Sequence, residues 1–170
     1  QTKIELCVKL VKEGHMTPKL WNKKIGDEIE IMGPLGLFTL EKAQKDKLVF
    51  IGTGTGVAPL RSMIYEELTN EESNKELTLI FGVRTEGTHL YDNEFEELQT
   101  TFPNFKYLKV LSRPDDNWEG RQGYVQNNLD SIDPLNSQIY ICGLPQMVDE
   151  TKNKLLDKGI TEELIHCEKY

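Results

Sequence analysis

Apolar and polar side chains alternate over residues 3–11, with Ile4, Leu6, Val8 and Leu10 on one side, the pattern of a half-buried strand. Gly14 marks a turn. Thr17 then supplies a cap, and Pro18 a first helical position, for a short helix carrying Leu20 and Trp21. Short antiparallel-type strands are predicted at 28–32 and, beyond Gly33-Pro34-Leu35-Gly36, at 37–40. The charged stretch Glu41 to Asp46 interrupts this pattern and reads as a linker, which places a domain boundary between residues 1–45 and 46–170. From there the period changes. Apolar runs near 47–52, 77–83, 106–111, 138–142 and 164–168 alternate with helical patterns near 57–69, 92–101, 125–130 and 145–158. That alternation predicts an α/β fold, a doubly wound parallel sheet with helices on both faces, preceded by a partial antiparallel β-barrel. Ligands of such sheets bind beyond the carboxyl ends of the strands, so the residues that follow each strand carry the interest.

Composition narrows the partners. The 170 residues carry a formal charge of −8, with a pI near 5.0, which disfavours a nucleic acid or an anionic membrane surface as partner. No apolar run approaches the roughly 20 residues of a membrane helix, and Gln1-Thr2-Lys3 opens no signal-peptide pattern, so the expected location is cytoplasmic. Cys7, Cys142 and Cys167 include no C-x-x-C pair, and no metal site is expected. His15, His89 and His166 lack ligand spacing and read as surface or turn residues.

Two segments suggest chemistry. The strand Lys47 to Ile51 runs into Gly52-Thr53-Gly54-Thr55-Gly56-Val57-Ala58-Pro59 and then a helix. Glycines let a ligand approach the backbone, and amides at a helix start favour an anion, so a pyrophosphate is expected there. The spacing matches neither the G-x-G-x-x-G nor the lysine-bearing phosphate-loop pattern, and a glycine-rich turn without a ligand is the plainer alternative. The second segment, Gln138 to Met147, is again strand, turn and helix, with Cys142 at the strand end. A lone cysteine at such a place is commonly a small core residue. In a parallel sheet, however, the two tips face a common crevice, and a dinucleotide held by the first extends across the second.

Taken together, these segments resemble the ferredoxin:NADP reductase family, in which a flavin-binding barrel precedes a nicotinamide-nucleotide domain. Gly52 to Pro59 is similar to its G-T-G-x-G-x-A-P pyrophosphate loop, and Cys142-Gly143-Leu144-Pro145-Gln146-Met147 to its C-G-x-P-x-M segment beside the nicotinamide. The match continues through Gly82-Val83-Arg84, Leu90-Tyr91, Ser112-Arg113-Pro114, Trp118, Gly120 and Gly123-Tyr124-Val125-Gln126, and ends on Glu168-Lys169-Tyr170. Upstream, Gly14-His15-Met16-Thr17 resembles the flavin pyrophosphate turn and Gly33 to Phe38 a G-P-x-G-x-F connection, so only the second half of the barrel is represented. The R-x-Y-S type segment that grips the flavin does not occur, which is the expectation for a piece of a longer protein.

The resemblance implies hydride transfer between a nicotinamide and FAD, with onward electrons to a protein acceptor such as ferredoxin or an oxygenase component. It makes Cys142, Glu168 and Tyr170 the catalytic candidates. It assigns cofactor contact to Gly14, His15, Met16 and Thr17 for the flavin. For the dinucleotide it assigns Gly52, Thr53, Gly54, Thr55, Gly56, Pro59, Val83, Arg84, Ser112, Arg113, Tyr124, Gly143, Pro145 and Met147. Ser112, Arg113 and Tyr124 could meet a 2′-phosphate, which leans the choice between NADP and NAD toward NADP. The competing expectation is a subunit that binds NAD(P)H without turning it over, or an isolated nucleotide domain. Unpaired strands in residues 1–45 would leave open edges, predicting either disorder or a homodimer built through them.

Overall fold

The structure, a computed structural model, describes residues 3–33 and 35–170. It divides into two compact units, one ending at Leu37 and one comprising Phe38–Tyr170.

Among the described residues of the first unit the regular element is helix α1, Thr17–Trp21, with Pro18 in its first turn. Thr17 Oγ1 accepts from the Val11 amide at 3.0 Å and donates to the Val11 carbonyl at 3.2 Å, closing the turn at Gly14. The strands expected at 3–11, 28–32 and 37–40 are not formed among the described residues. Pro34, within the expected Gly33–Phe38 connection, and Gln1 and Thr2 lie outside those residues. The alternation is real, but a strand exists only as a partner in a hydrogen-bonded ladder, and none of these segments is laddered to another. Ile4, Leu6, Ile29 and Ile31 are accordingly exposed.

The second unit is a three-layer α/β arrangement. Strands β1 (Lys47–Thr53), β2 (Glu76–Val83), β3 (Phe105–Leu111), β4 (Arg121–Gln122), β5 (Ser137–Gly143) and β6 (Ile165–Lys169) form one parallel sheet in the order β4-β3-β2-β1-β5-β6. Helices α2 (Val57–Leu68), α3 (Asp92–Thr101) and α4 (Pro145–Asp157) cover it. Leu48, Phe50, Leu79 and Phe81 point to one face, beneath Leu60 and Ile64 of α2 and Phe95 of α3. Val49, Ile51, Ile80, Ile139 and Ile141 point to the other, against Val148 and Leu155 of α4. Central strands buried on both faces read as continuous apolar runs, which is how Leu48 to Ile51 and Ile139 to Ile141 appear in the sequence. Each such side chain, fully buried, contributes about 1.5–3 kcal/mol.

Three expectations in this unit need correction. The helix read over 125–130 is a pair of short 3-10 turns, Val125–Asn127 and Leu129–Ser131. Asn128 breaks it by donating Nδ2 to the carbonyls of Gln122 and Tyr124, while Ser131 Oγ donates to the Asn128 carbonyl; polar side chains here compete with the helical ladder. His89 is buried, edge-on to the rings of Phe81 and Tyr107, and burial pulls its pKa below the usual histidine range. His166 is partly buried, stacked on Tyr140, with Gln138 Nε2 at 3.1 Å from its Nε2. Gln138 also accepts from the Gln44 amide, and Tyr140 Oη from the Glu41 amide, so the charged stretch 41–44 is tied to β5.

Candidate dinucleotide site

The sheet order places a topological switch between β1 and β5. From β1 the chain proceeds outward through β2, β3 and β4, then returns to place β5 on the opposite side of β1. At such a switch the loops beyond the two strands diverge and leave a crevice. The two segments singled out in the sequence are the loops at that point, since Gly52 is in register with Cys142.

Beyond Thr53 the chain makes one 3-10 turn, Gly54–Gly56, and enters α2. Gly54 has a φ of +55°, a conformation that disfavours a side chain. Gly56 is glycine for a packing reason. A Cβ there would lie 2.7 Å from the carbonyl carbon of Cys142 and 2.9 Å from the amide nitrogen of Gly143, and closer still to the Cys142 carbonyl oxygen. Pro59 falls in the first turn of α2, where its missing N–H costs nothing. The loops therefore touch backbone to backbone, with no side chain between them.

The opposite wall repeats this. A Cβ on Gly143 would lie 2.5 Å from Met147 Cε, and would collide with Thr53 Oγ1. Thr53 Oγ1 is itself buried and without a hydrogen-bond partner among the described residues. Cys142 is 2 % exposed, and burial, with the neighbouring Glu168 carboxylate second, pushes its thiol up to about 12. Glu168 is in register with Cys142 on β6 and exposed, and Lys169 pairs with Asp149 at 2.6 Å. Tyr170 reaches back over the crevice: its Oη donates to the Thr53 carbonyl at 2.8 Å and accepts from the Gly56 amide at 3.4 Å, while its own amide donates to the Gly143 carbonyl.

Further along the sheet, the ends of β2, β3 and β4 bring together Val83, Arg84, Ser112, Arg113 and Tyr124. The Ser112 amide donates to the Val83 carbonyl, the Arg113 amide to that of Arg84, and the Gly123 amide to that of Leu111. Tyr124 leaves its ring 63 % exposed beside them. Pro145 opens α4, at the edge of the switch-point crevice. All the candidates expected for the dinucleotide thus lie along one edge of the sheet. Gly14, His15, Met16 and Thr17 belong to the other unit, where His15 and Met16 are exposed at the start of α1.

Asn128, which holds the Gln122 and Tyr124 carbonyls, was not singled out in the sequence, because an asparagine in a polar run carries no signal of its own. Neither was Asp130, whose carboxylate takes the Arg121 guanidinium.

A thiol held this high reacts as a buried neutral group, since the thiolate is the nucleophile. Its proton is bound more tightly in the native chain than in the unfolded one, so the stability it contributes is intact below the ordinary thiol range and declines as pH rises through it. Iodoacetamide is expected to label partly exposed Cys7 at pH 8 and spare Cys142, with labelling at Cys142 climbing up to pH 10 without a plateau. Peptide mass mapping would check this; rapid labelling of Cys142 at pH 8 contradicts the burial.

A family model described as the oxidoreductase NAD-binding domain matches residues 50–153, and one described as the oxidoreductase FAD-binding domain matches residues 1–40. The chain belongs to the oxidoreductase NAD-binding domain family, within the ferredoxin:NADP reductase-like group of FAD/NAD-binding modules, with the flavin-binding part partly represented. A subunit of the Na(+)-translocating NADH-quinone reductase of Neisseria meningitidis serogroup C is 35% identical over 160 residues, 89% of this chain and 39% of that protein. The chain therefore spans about two fifths of the length of such curated relatives. Among solved structures, an Amycolatopsis cytochrome P450 reductase is 31% identical, with a TM-score of 0.72 over 81% of this chain and 42% of that one. The CS-b5R domains of human Ncb5or, in their NAD+ form, are 26% identical, with a TM-score of 0.82 over 94% of this chain and 47% of that one. Among the described residues no helix is long and apolar enough to cross a membrane, and no three or more His, Cys, Asp or Glu side chains are grouped so as to hold a metal ion.

Proposed function

We propose that this chain is the dinucleotide-binding part of an NAD(P)H-dependent flavin oxidoreductase that passes electrons onward to a separate redox protein, ferredoxin-like or an oxygenase component. The observation that carries the reading is the meeting of the Gly52–Gly56 and Cys142–Met147 loops at the switch point of the sheet.

The residues fit a nicotinamide dinucleotide. Gly54 and Gly56 present backbone without side chains at the start of α2, suited to paired phosphates, and the buried Thr53 hydroxyl has no partner of its own among the described residues. Gly14 and Thr17, in a turn already closed by the Thr17 hydroxyl, suit the flavin pyrophosphate, and FAD is the flavin that the family match names. When bound, the nicotinamide would supply a hydride, which the flavin would take up and give out as two single electrons and a proton; the protein's own part is to bind, align and exclude water. Cys142, neutral and packed, gives shape at the crevice floor rather than charge. Glu168 is the exposed carboxylate beside it that can hold or release a proton. Alignment of the reacting atoms is the main contribution of all these groups.

A second reading, an NAD(P)H-binding subunit without turnover, is favoured by the absence of ladder pairing among the described residues of 3–40. Calorimetric titration of the full chain with NADH and NADPH, followed by ferricyanide reduction with and without added FAD, separates them. Binding together with FAD-dependent turnover supports the reductase, binding without turnover supports the second reading, and no binding of either nucleotide removes both.

A further inference from the structure

We propose that the chain selects NADH over NADPH, and that Asp130 sets this choice by holding Arg121 in an ion pair at the adenosine end of the crevice. The inference rests on the reading that this crevice takes a nicotinamide dinucleotide, and it names which one.

The two nucleotides differ by a phosphate on the adenosine ribose. A phosphate dianion needs uncommitted cations with matching geometry, whereas the hydroxyl in its place is content with a carboxylate acceptor. Cofactor choice is therefore a question of net charge and of which arginines are already engaged.

The end of the crevice away from the switch point is built from the segments after β2, β3 and β4, laced together by the Ser112, Arg113 and Gly123 amides. Arg121, on β4, is the arginine nearest the sheet in the 112–124 segment, and it is committed. Its Nη1 lies 3.3 and 3.5 Å from the two carboxylate oxygens of Asp130. Trp118 Nε1 donates to the Arg121 carbonyl at 3.0 Å, and the Trp118 ring lies so close over Gly120 that a Cβ there would collide with it. The backbone that carries Arg121 is thereby fixed, and the Asn128 amide holds the adjoining Gln122 and Tyr124 carbonyls. Arg113 remains exposed, but Asp115, Asp116 and Glu119 follow it in the same segment, so carboxylates outnumber cations there. A phosphate dianion entering this surface meets exposed Arg84 and Arg113, an Arg121 already engaged by Asp130, and four carboxylates, Asp115, Asp116, Glu119 and Asp130, against those three arginines. A ribose hydroxyl meets acceptors.

The same observations reverse the preference suggested by Ser112, Arg113 and Tyr124 in the sequence. Those residues do converge, but the cation that would complete a phosphate clamp is bound to Asp130, nine positions later in a stretch with no pattern of its own.

The test uses the full chain and four ligands, AMP, 2′-phospho-AMP, NADH and NADPH, titrated by calorimetry at low salt. The unsubstituted chain is expected to bind 2′-phospho-AMP no more tightly than AMP and to prefer NADH. Because the pair is exposed, Asp130→Asn is expected to raise the ratio of 2′-phospho-AMP to AMP affinity by only about two- to fivefold. Arg121→Gln in the same chain should return the ratio to its starting value. Asp115→Asn, Asp116→Asn and Glu119→Gln together should raise it as well, and added salt should shrink all these gains. A merely structural loss would weaken both members of each ligand pair alike and leave the ratio where it was. Tighter binding of 2′-phospho-AMP than AMP by the unsubstituted chain overturns the inference and leaves the dinucleotide site standing. An unchanged ratio in Asp130→Asn overturns the role of that residue. Binding of none of the four ligands removes the site itself.

Discussion

Gly56→Ala is expected to destabilise the chain by about 3 kcal/mol, the upper part of the range for overpacking a closed site, and to abolish measurable dinucleotide binding. The added methyl would have to occupy space held by backbone, the Cys142 carbonyl group and the Gly143 amide, and not by the end of a flexible side chain. Neither can retreat, because Cys142 is paired with Gly52 on one side and Glu168 on the other. The loops must therefore separate, and the crevice loses its floor. For a chain of this size the loss corresponds to a melting temperature lower by about 6–12 °C. Gly87→Ala is the control. Gly87 has a φ of +73° with nothing within 4 Å of an added Cβ, so only backbone strain is at stake, about 1 kcal/mol, with binding retained. Thermal melts and calorimetry on the two variants decide the matter: if Gly56→Ala melts no lower than Gly87→Ala, the backbone contact at the switch point is not as close as described.

How far the sequence foretells this site depends on the range of the contact involved. Local patterns carried well. The apolar runs ending in glycine announced β1 and β5, and the alternation of runs with helical periods announced a parallel sheet covered on both faces. The order of the strands was less legible. Nothing in Gln138 to Gly143 says that β5 returns to lie beside β1, because a strand buried on both faces has the same composition wherever in the sheet it lies. The N-terminal alternation shows the opposite limit: Ile4, Leu6, Val8 and Leu10 have the right period, but a ladder is a property of two segments, and period alone supplies one. The 125–130 segment failed for a third reason. Its apolar positions fit a helix, but the side-chain amide of Asn128 is bonded to carbonyls that precede it in the chain, and this local bond outweighs a weak helical preference. Contacts between particular charged or polar groups, whether nine residues apart, as Arg121 and Asp130, or far apart, as Gly56 and Tyr170, leave no periodic trace. The first of these is the contact on which the proposed choice of nucleotide rests.

Tyr170→Phe is expected to tighten dinucleotide binding by about five- to tenfold while slightly lowering stability, two changes of opposite sign from one missing oxygen. The Tyr170 hydroxyl donates to the Thr53 carbonyl and accepts from the Gly56 amide. The Gly56 N–H is one of the donors that a phosphate at the start of α2 would use, so the phenol and the ligand compete for it. Removing the oxygen releases that donor at a cost of about 1 kcal/mol of net hydrogen bonding before the ligand arrives, which is the quantity the ligand no longer has to displace. The segment itself should stay in place, because the Tyr170 amide donates to the Gly143 carbonyl and Lys169 is paired with Asp149, and neither contact depends on the phenol. Tyr170→Ser should release the same donor and also clear the ring, so it should bind at least as tightly as Tyr170→Phe. Calorimetric titration with NADH at fixed salt, alongside thermal melts, reads both quantities. Weaker binding in Tyr170→Phe would mean that the hydroxyl supports the bound ligand and does not stand in for it, and Tyr170 would then be part of the site and not its competitor.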